Sequence, residues 1–133
     1  MRTPAEGDQM RHEVTDADTA VALGSGDVPV LATPRLIAWL EAATVRSADA
    51  FLAKGQTTVG TGIRIEHRRP TGVGGSIEIT AAPQRDAASR RLTFDVQAID
   101  DSGQVVAAGQ IERAIVDRQR FLASVSAADT YNR

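Results

Sequence analysis

The strongest constraint on this chain is one long run of helical spacing with marked ends, followed by four segments that alternate like strands. Residues 33–55 begin Thr33-Pro34 and end Lys54-Gly55. Thr is a favourable helix cap, Pro suits the first turn, and a Lys-Gly pair is a common exit. Between them Leu36, Ile37, Leu40, Ala43, Thr44, Ser47 and Phe51 recur at helical spacing and predict one continuous buried face. A helix of about 20 residues is about 30 Å long, so whatever covers it has to curl.

The cover is legible further along the chain. Val59 to His67, Ile77 to Ala81, Leu92 to Ala98 and Gln104 to Val116 alternate apolar and polar residues, the signature of antiparallel strands with one covered face. A further strand is expected from His12 to Val14, an irregular loop from Asp16 to Leu31, and helical character from Asp117 to Ala128. These elements predict an α+β domain, a curled antiparallel sheet wrapped on one long central helix. The organisation expected is a leader at 1–10, one domain at 11–128 and a short tail at 129–133. A sheet of this kind leaves an edge strand open, and edge-to-edge pairing into a homodimer is the expected remedy.

Composition narrows the function classes. With 133 residues there is room for one core, and the absence of cysteine removes disulfides, thiolate metal sites and cysteine nucleophiles while fitting a cytoplasmic setting. Fifteen basic against seventeen acidic residues, without long blocks, give no footprint for nucleic acid. No apolar run suits a signal peptide or a membrane span. The clusters Arg64, Arg68, Arg69 and Arg85, Arg90, Arg91 read first as solvated faces, though a phosphate-bearing ligand could use one. No phosphate-binding glycine loop, HExxH, metal-ligand cluster or nucleophile elbow is present.

Four residues stand out as chemistry-bearing. His67 shares the apolar parity of Ile63 and Ile65, and an imidazole on a covered face needs a hydrogen-bond partner or a ligand. Glu41 is the single ionisable residue between Leu36 and Val45, an isolation unusual for an exposed stripe, and a carboxylate facing an imidazole suits acid–base or nucleophilic work. Thr33 is explained equally well as a cap, and eight residues of helix set it about 12 Å from Glu41, so it borders the same site only if the loop before it folds back. Gly60 admits close approach of a ligand, although a bulge is the commoner role for such a glycine.

Taken together, Val30-Leu31-Ala32-Thr33-Pro34, Trp39-Leu40-Glu41-Ala42-Ala43, Val59-Gly60-Thr61 with His67, Arg90-Arg91-Leu92-Thr93-Phe94 and Gly109-Gln110-Ile111-Glu112-Arg113 resemble the fluoroacetyl-CoA thioesterase family of hotdog-fold proteins over residues 28–117. The resemblance implies a homodimer with acyl-CoA sites near the subunit interface and hydrolysis of a short acyl thioester, with CoA as part of the substrate and no metal or other cofactor. It places the family's Thr, Glu and His on Thr33, Glu41 and His67 and its active-site glycine on Gly60. In that reading Glu41 attacks the thioester carbonyl or activates water, His67 moves protons, Thr33 positions Glu41 or the acyl group, and the Gly60 N–H stabilises the oxyanion. One departure bears on specificity. The fluoroacetyl-specific member has phenylalanines before the Thr, whereas this chain has Gly24-Ser25-Gly26-Asp27-Val28-Pro29. The expectation is therefore an acyl-CoA or acyl-carrier thioesterase whose acyl group is not fluoroacetyl, the alternative being a non-hydrolytic hotdog domain that binds an acyl-CoA or other small hydrophobic ligand.

Overall fold

The apolar stripe on the long helix determines how the chain closes. In the computed structural model, which describes residues 9–84 and 89–131, the main helix α2 (Thr33–Ala48) buries Leu36, Leu40, Ala43, Thr44 and Ser47. A short helix α1 (Ala20–Leu23) precedes it. Strands β1 (Met10–Glu13), β2 (Gln56–His67), β3 (Ser76–Pro83), β4 (Arg91–Asp100) and β5 (Val105–Asp117) form one antiparallel sheet in the order β1-β3-β4-β5-β2. A final helix α3 (Arg118–Tyr131) follows β5. This is the expected hotdog arrangement, a curled sheet around a central helix.

The core lies between α2 and the middle strands. Ile77 and Ile79 of β3, Phe94 of β4 and Ile111 of β5 are fully buried against Leu36 and Leu40. Burial of each such side chain contributes about 1.5–3 kcal/mol, which fixes the helix on the sheet. Against the other flank of α2, the His12 ring of β1 stacks on Trp39, with centroids 4.3 Å apart and planes 3° from parallel.

Three expectations need correction. The long helix stops at Ala48, continuing only as a 3-10 turn over Asp49–Phe51, so Phe51 is 40% exposed and lies off the buried stripe. Gly55 does not cap the helix; at φ +85° it makes the turn from Ala53 into Gln56 that starts β2. The segment 16–31 is not wholly irregular, because it holds a 3-10 turn at Asp16–Asp18 and α1, which Thr19 caps by accepting the Ala22 N–H at 3.2 Å. The expected leader falls mostly on residues 1–8, outside the described residues.

Strand β2 positions the site, and two irregularities shape it. Thr61 is an extra residue between Gly60, opposite Arg113, and Gly62, opposite Glu112. This bulge turns Gly60 to the helix-facing side of the sheet, while Ile63, Ile65 and His67 keep that side by alternation. The covered-face expectation for this strand holds only in part: Ile63 is 46% exposed, because β2 lies at the sheet edge and one helix does not reach over it. At Gly109 the strands approach so closely that an added Cβ would meet the Arg64 carbonyl.

Candidate functional site

The four singled-out residues fall into two groups at opposite ends of the β2 stretch 60–67. At one end Thr33 and His67 meet. The Thr33 hydroxyl lies 2.8 Å from His67 Nδ1, so it is not spent on capping α2, whose cap position is Ala32 and has no side-chain cap bond. The Pro29–Thr33 segment does fold back, since Val30 bridges Gly72 and the Leu31 N–H donates to the Thr71 carbonyl at 2.8 Å. That pairing holds Thr33 against the end of β2.

The imidazole there is held neutral. Burial lowers the His67 pKa below the ordinary histidine value, opposed more weakly by hydrogen bonding to the Arg69 backbone. Its Nε2 is buried with no hydrogen-bond partner among the described residues, so one ring nitrogen remains for a substrate atom. Thr33 and His67 line a cavity of about 290 Å³ whose other walls include Ala20, Val28, Val30, Leu31 and Pro70. Ser25 and Gly26 border it, and among the described residues no Phe, Tyr or Trp does.

At the other end the chemistry is ionic. Glu41 Oε2 lies 3.5 Å from Arg113 Nη1, and a Cβ placed on Gly60 would sit 3.1 Å from the same Oε2. The Arg113 side chain is 8% exposed, that of Glu41 37%. Two further contacts fix the guanidinium, Nε donating to Thr58 Oγ1 at 2.9 Å and Nη2 to the Thr58 carbonyl at 3.3 Å. Burial lowers the Arg113 pKa while the Glu41 carboxylate raises it; a guanidinium nevertheless remains charged at any working pH.

Sequence reasoning missed Arg113, although a signal existed. Ile111, Arg113 and Ile115 share one parity on β5, and a charged residue at an apolar parity calls for a partner. No hydrogen bond or ion pair joins Glu41 to His67 among the described residues. The structure thus brings Thr33 to His67 and Glu41 to Gly60, and the Thr33 hydroxyl meets the imidazole rather than the carboxylate. Among the described residues there is no group of three or more His, Cys, Asp or Glu placed to hold a metal ion.

Known proteins share this geometry's framework. The family model described as fluoroacetyl-CoA-specific thioesterase matches residues 14–119. The chain belongs to this family. It is 32% identical over 96 residues to the fluoroacetyl-CoA thioesterase of Streptantibioticus cattleyicolor, covering 72% of this chain and 68% of that one. A variant of the fluoroacetyl-CoA-specific thioesterase FlK, crystallised with fluoroacetate and CoA, superposes with a TM-score of 0.81 at 27% identity, covering 90% of this chain and 97% of that chain. A thioesterase superfamily member from Thermus thermophilus shares the fold, with a TM-score of 0.85 at 22% identity over 98% of this chain and 97% of that one. Membership in the thioesterase family supports thioester hydrolysis as the class of reaction. No helix among the described residues is long and apolar enough to cross a membrane.

Proposed function

We propose that the protein hydrolyses a short acyl-CoA thioester, other than fluoroacetyl-CoA, in a site completed by a second copy of the chain. The observation that supports this reading is the close approach of Glu41 Oε2 to the bare backbone of Gly60, where a Cβ would sit 3.1 Å from the oxygen, so the glycine leaves the carboxylate beside a backbone N–H that no side chain shields. The Gly60 N–H is the candidate oxyanion donor. Either the carboxylate attacks the carbonyl carbon and the resulting anhydride is opened by water, or it takes a proton from the attacking water. In both routes the C–S bond breaks, a C–O bond forms, and the products are a carboxylic acid and a thiol. Neutral His67 accepts a proton and returns it to the leaving thiolate, and the Thr33 hydroxyl holds the ring.

The two half-sites invite a partner. Strand β2 has 12 residues and, among the described residues, pairs only with β5, which leaves its outer edge open there. Beside it Ile63 is 46% and Val45 of α2 47% exposed, apolar surface that a second copy would cover. In antiparallel pairing of two β2 edges about a two-fold at Arg64, Ile63 faces the partner's Ile65, and the bulge brings the partner's His67 opposite Gly60 on the helix side. The acyl chain then enters the cavity of about 290 Å³ beside Thr33 and His67 of one copy, while Glu41 and Gly60 of the other hold the carbonyl. Ser25, Gly26 and Val28 line that cavity where phenylalanines would be expected for fluoroacetyl selectivity.

Two measurements test this. Over a panel of acyl-CoAs, short acyl groups should be hydrolysed well above the buffer rate; binding of CoA esters without turnover would support the non-hydrolytic alternative instead. Mixing inactive Glu41→Ala and His67→Ala chains should restore about a quarter of parental activity, since half the dimers are mixed and each has one intact site of two. A mixture as inactive as its components would place the whole site within one chain.

A further inference from the structure

The buried guanidinium of Arg113 is gripped along one edge by a single residue. Nε donates to the Thr58 hydroxyl at 2.9 Å and Nη2 to the Thr58 carbonyl at 3.3 Å, and these two nitrogens share one edge of the planar group. Acceptors paired along an edge fix both the position and the plane of the fork. Nη1, on the far side of that edge, is the nitrogen that stands 3.5 Å from Glu41 Oε2.

The strand register makes the grip possible. Arg113 lies opposite Gly60, and Thr58, opposite Ile115, is the diagonal neighbour on the same helix-facing side. The arginine side chain therefore runs obliquely over the β2–β5 pair. Bare Gly60 leaves it room, since a Cβ there would lie 3.6 Å from Nη1 and 3.1 Å from Glu41 Oε2. The branched Cβ of Thr restricts χ1, so the hydroxyl is presented in few orientations. Glu41 is longer, more flexible and 37% exposed, and among the described residues Arg113 is the one cation within ion-pair distance of it. The place of the carboxylate beside Gly60 thus depends on where Nη1 stands.

We propose that Thr58 is a positioning residue for thioester hydrolysis, its hydroxyl orienting Arg113 so that the guanidinium holds Glu41 beside Gly60; this rests on the thioesterase reading above. The effect passes through the cation to the carboxylate, so it falls on the chemical step rather than on substrate binding. Valine at position 58 suits a strand and keeps the branched shape and the backbone carbonyl, but it leaves Nε buried without an acceptor.

Steady-state kinetics test the relay. Thr58→Val should lower kcat about threefold to tenfold with KM within about twofold, and Thr58→Ser, which keeps the acceptor, should recover most of the loss. In the Arg113→Met background Thr58→Val should add nothing, because its effect passes through the guanidinium. An unchanged kcat in Thr58→Val, a Thr58→Ser as slow as Thr58→Val, a change confined to KM, or losses that multiply in the double variant would each overturn the proposal. Heteronuclear NMR reads the contact without turnover. The Arg113 Nε–H, assigned by its absence in Arg113→Met, should exchange with solvent at least about tenfold more slowly in the parent than in Thr58→Val, with Thr58→Ser near the parent. Equal exchange in parent and Thr58→Val would remove the hydroxyl contact and the proposal with it. If exchange behaves as expected but the parent hydrolyses no acyl-CoA, the thioesterase reading fails and Thr58 stands as the residue that orients Arg113.

Discussion

The two ends of the 60–67 stretch of β2 solve opposite electrostatic problems. At Gly60 a carboxylate is kept beside a buried guanidinium that Thr58 holds twice, so charge is stabilised by charge. At His67 a titratable ring is stripped of water and given one hydroxyl, so charge is avoided. A hydrolase needs both conditions, an anion ready to act and a neutral base. Within one copy they stand at opposite ends of one strand stretch, and edge pairing is what would bring them together across two copies.

The sharpest break in this comparison comes from the carboxylate end. Glu41→Gln should lower kcat by about 10²–10⁴ with little change in KM. His67→Ala should cost about 10²–10³ in kcat. Arg113→Met should follow with a loss of about tenfold to a hundredfold in kcat, partly recovered in Arg113→Lys, because the carboxylate loses its anchor and not its identity. Gly60→Ala should cost about tenfold, since the new methyl crowds Oε2 at 3.1 Å; an unchanged rate would remove Gly60 from the site. Thr33→Val should have the smallest effect, under about tenfold in kcat, and should not melt α2, whose cap is Ala32.

The histidine end also predicts a pH dependence with a definite sign. Burial depresses the folded-state pKa of His67, so the unfolded chain takes up a proton first as pH falls. This contribution to stability is complete above about pH 6.5 and is lost as pH drops through the unfolded value toward the folded one. The acid limb of kcat/KM should accordingly lie below about 6.5, because the neutral base persists in the native state. His67→Gln should flatten both the stability slope and that limb. A limb at about 6.5 would mean that the ring is solvated, and one above it that an anion faces the ring.

Much of this arrangement is legible in residue order. Period-3.6 spacing from Leu36 to Ser47 and period-2 spacing in the strands determine which faces are buried, because burial is dominated by apolar area. Glu41 stands out because no other ionisable residue lies between Leu36 and Val45. The features that residue order hides are tertiary or irregular. Alternation counted from His67 puts Gly60 on the outer side, and only the bulge at Thr61 turns it toward Glu41. The choice of Thr33 between capping and binding His67 depends on a loop bridge between Val30 and Gly72, 42 residues apart in sequence. Spacing alone overstates the helix length, because Phe51 fits the stripe while the chain tightens to a 3-10 turn at Asp49.

The stacked His12 and Trp39 lie on the flank of α2 away from Glu41, and Trp39 is the protein's one tryptophan. Its fluorescence therefore has a single source, seated on a ring whose pKa burial lowers despite the opposing pull of Asp18. Indole emission should report the β1–α2 contact and the protonation of His12, while hydrolysis reports the opposite flank. One acid titration, followed by light and by rate, would separate loosening of the helix from protonation of His67.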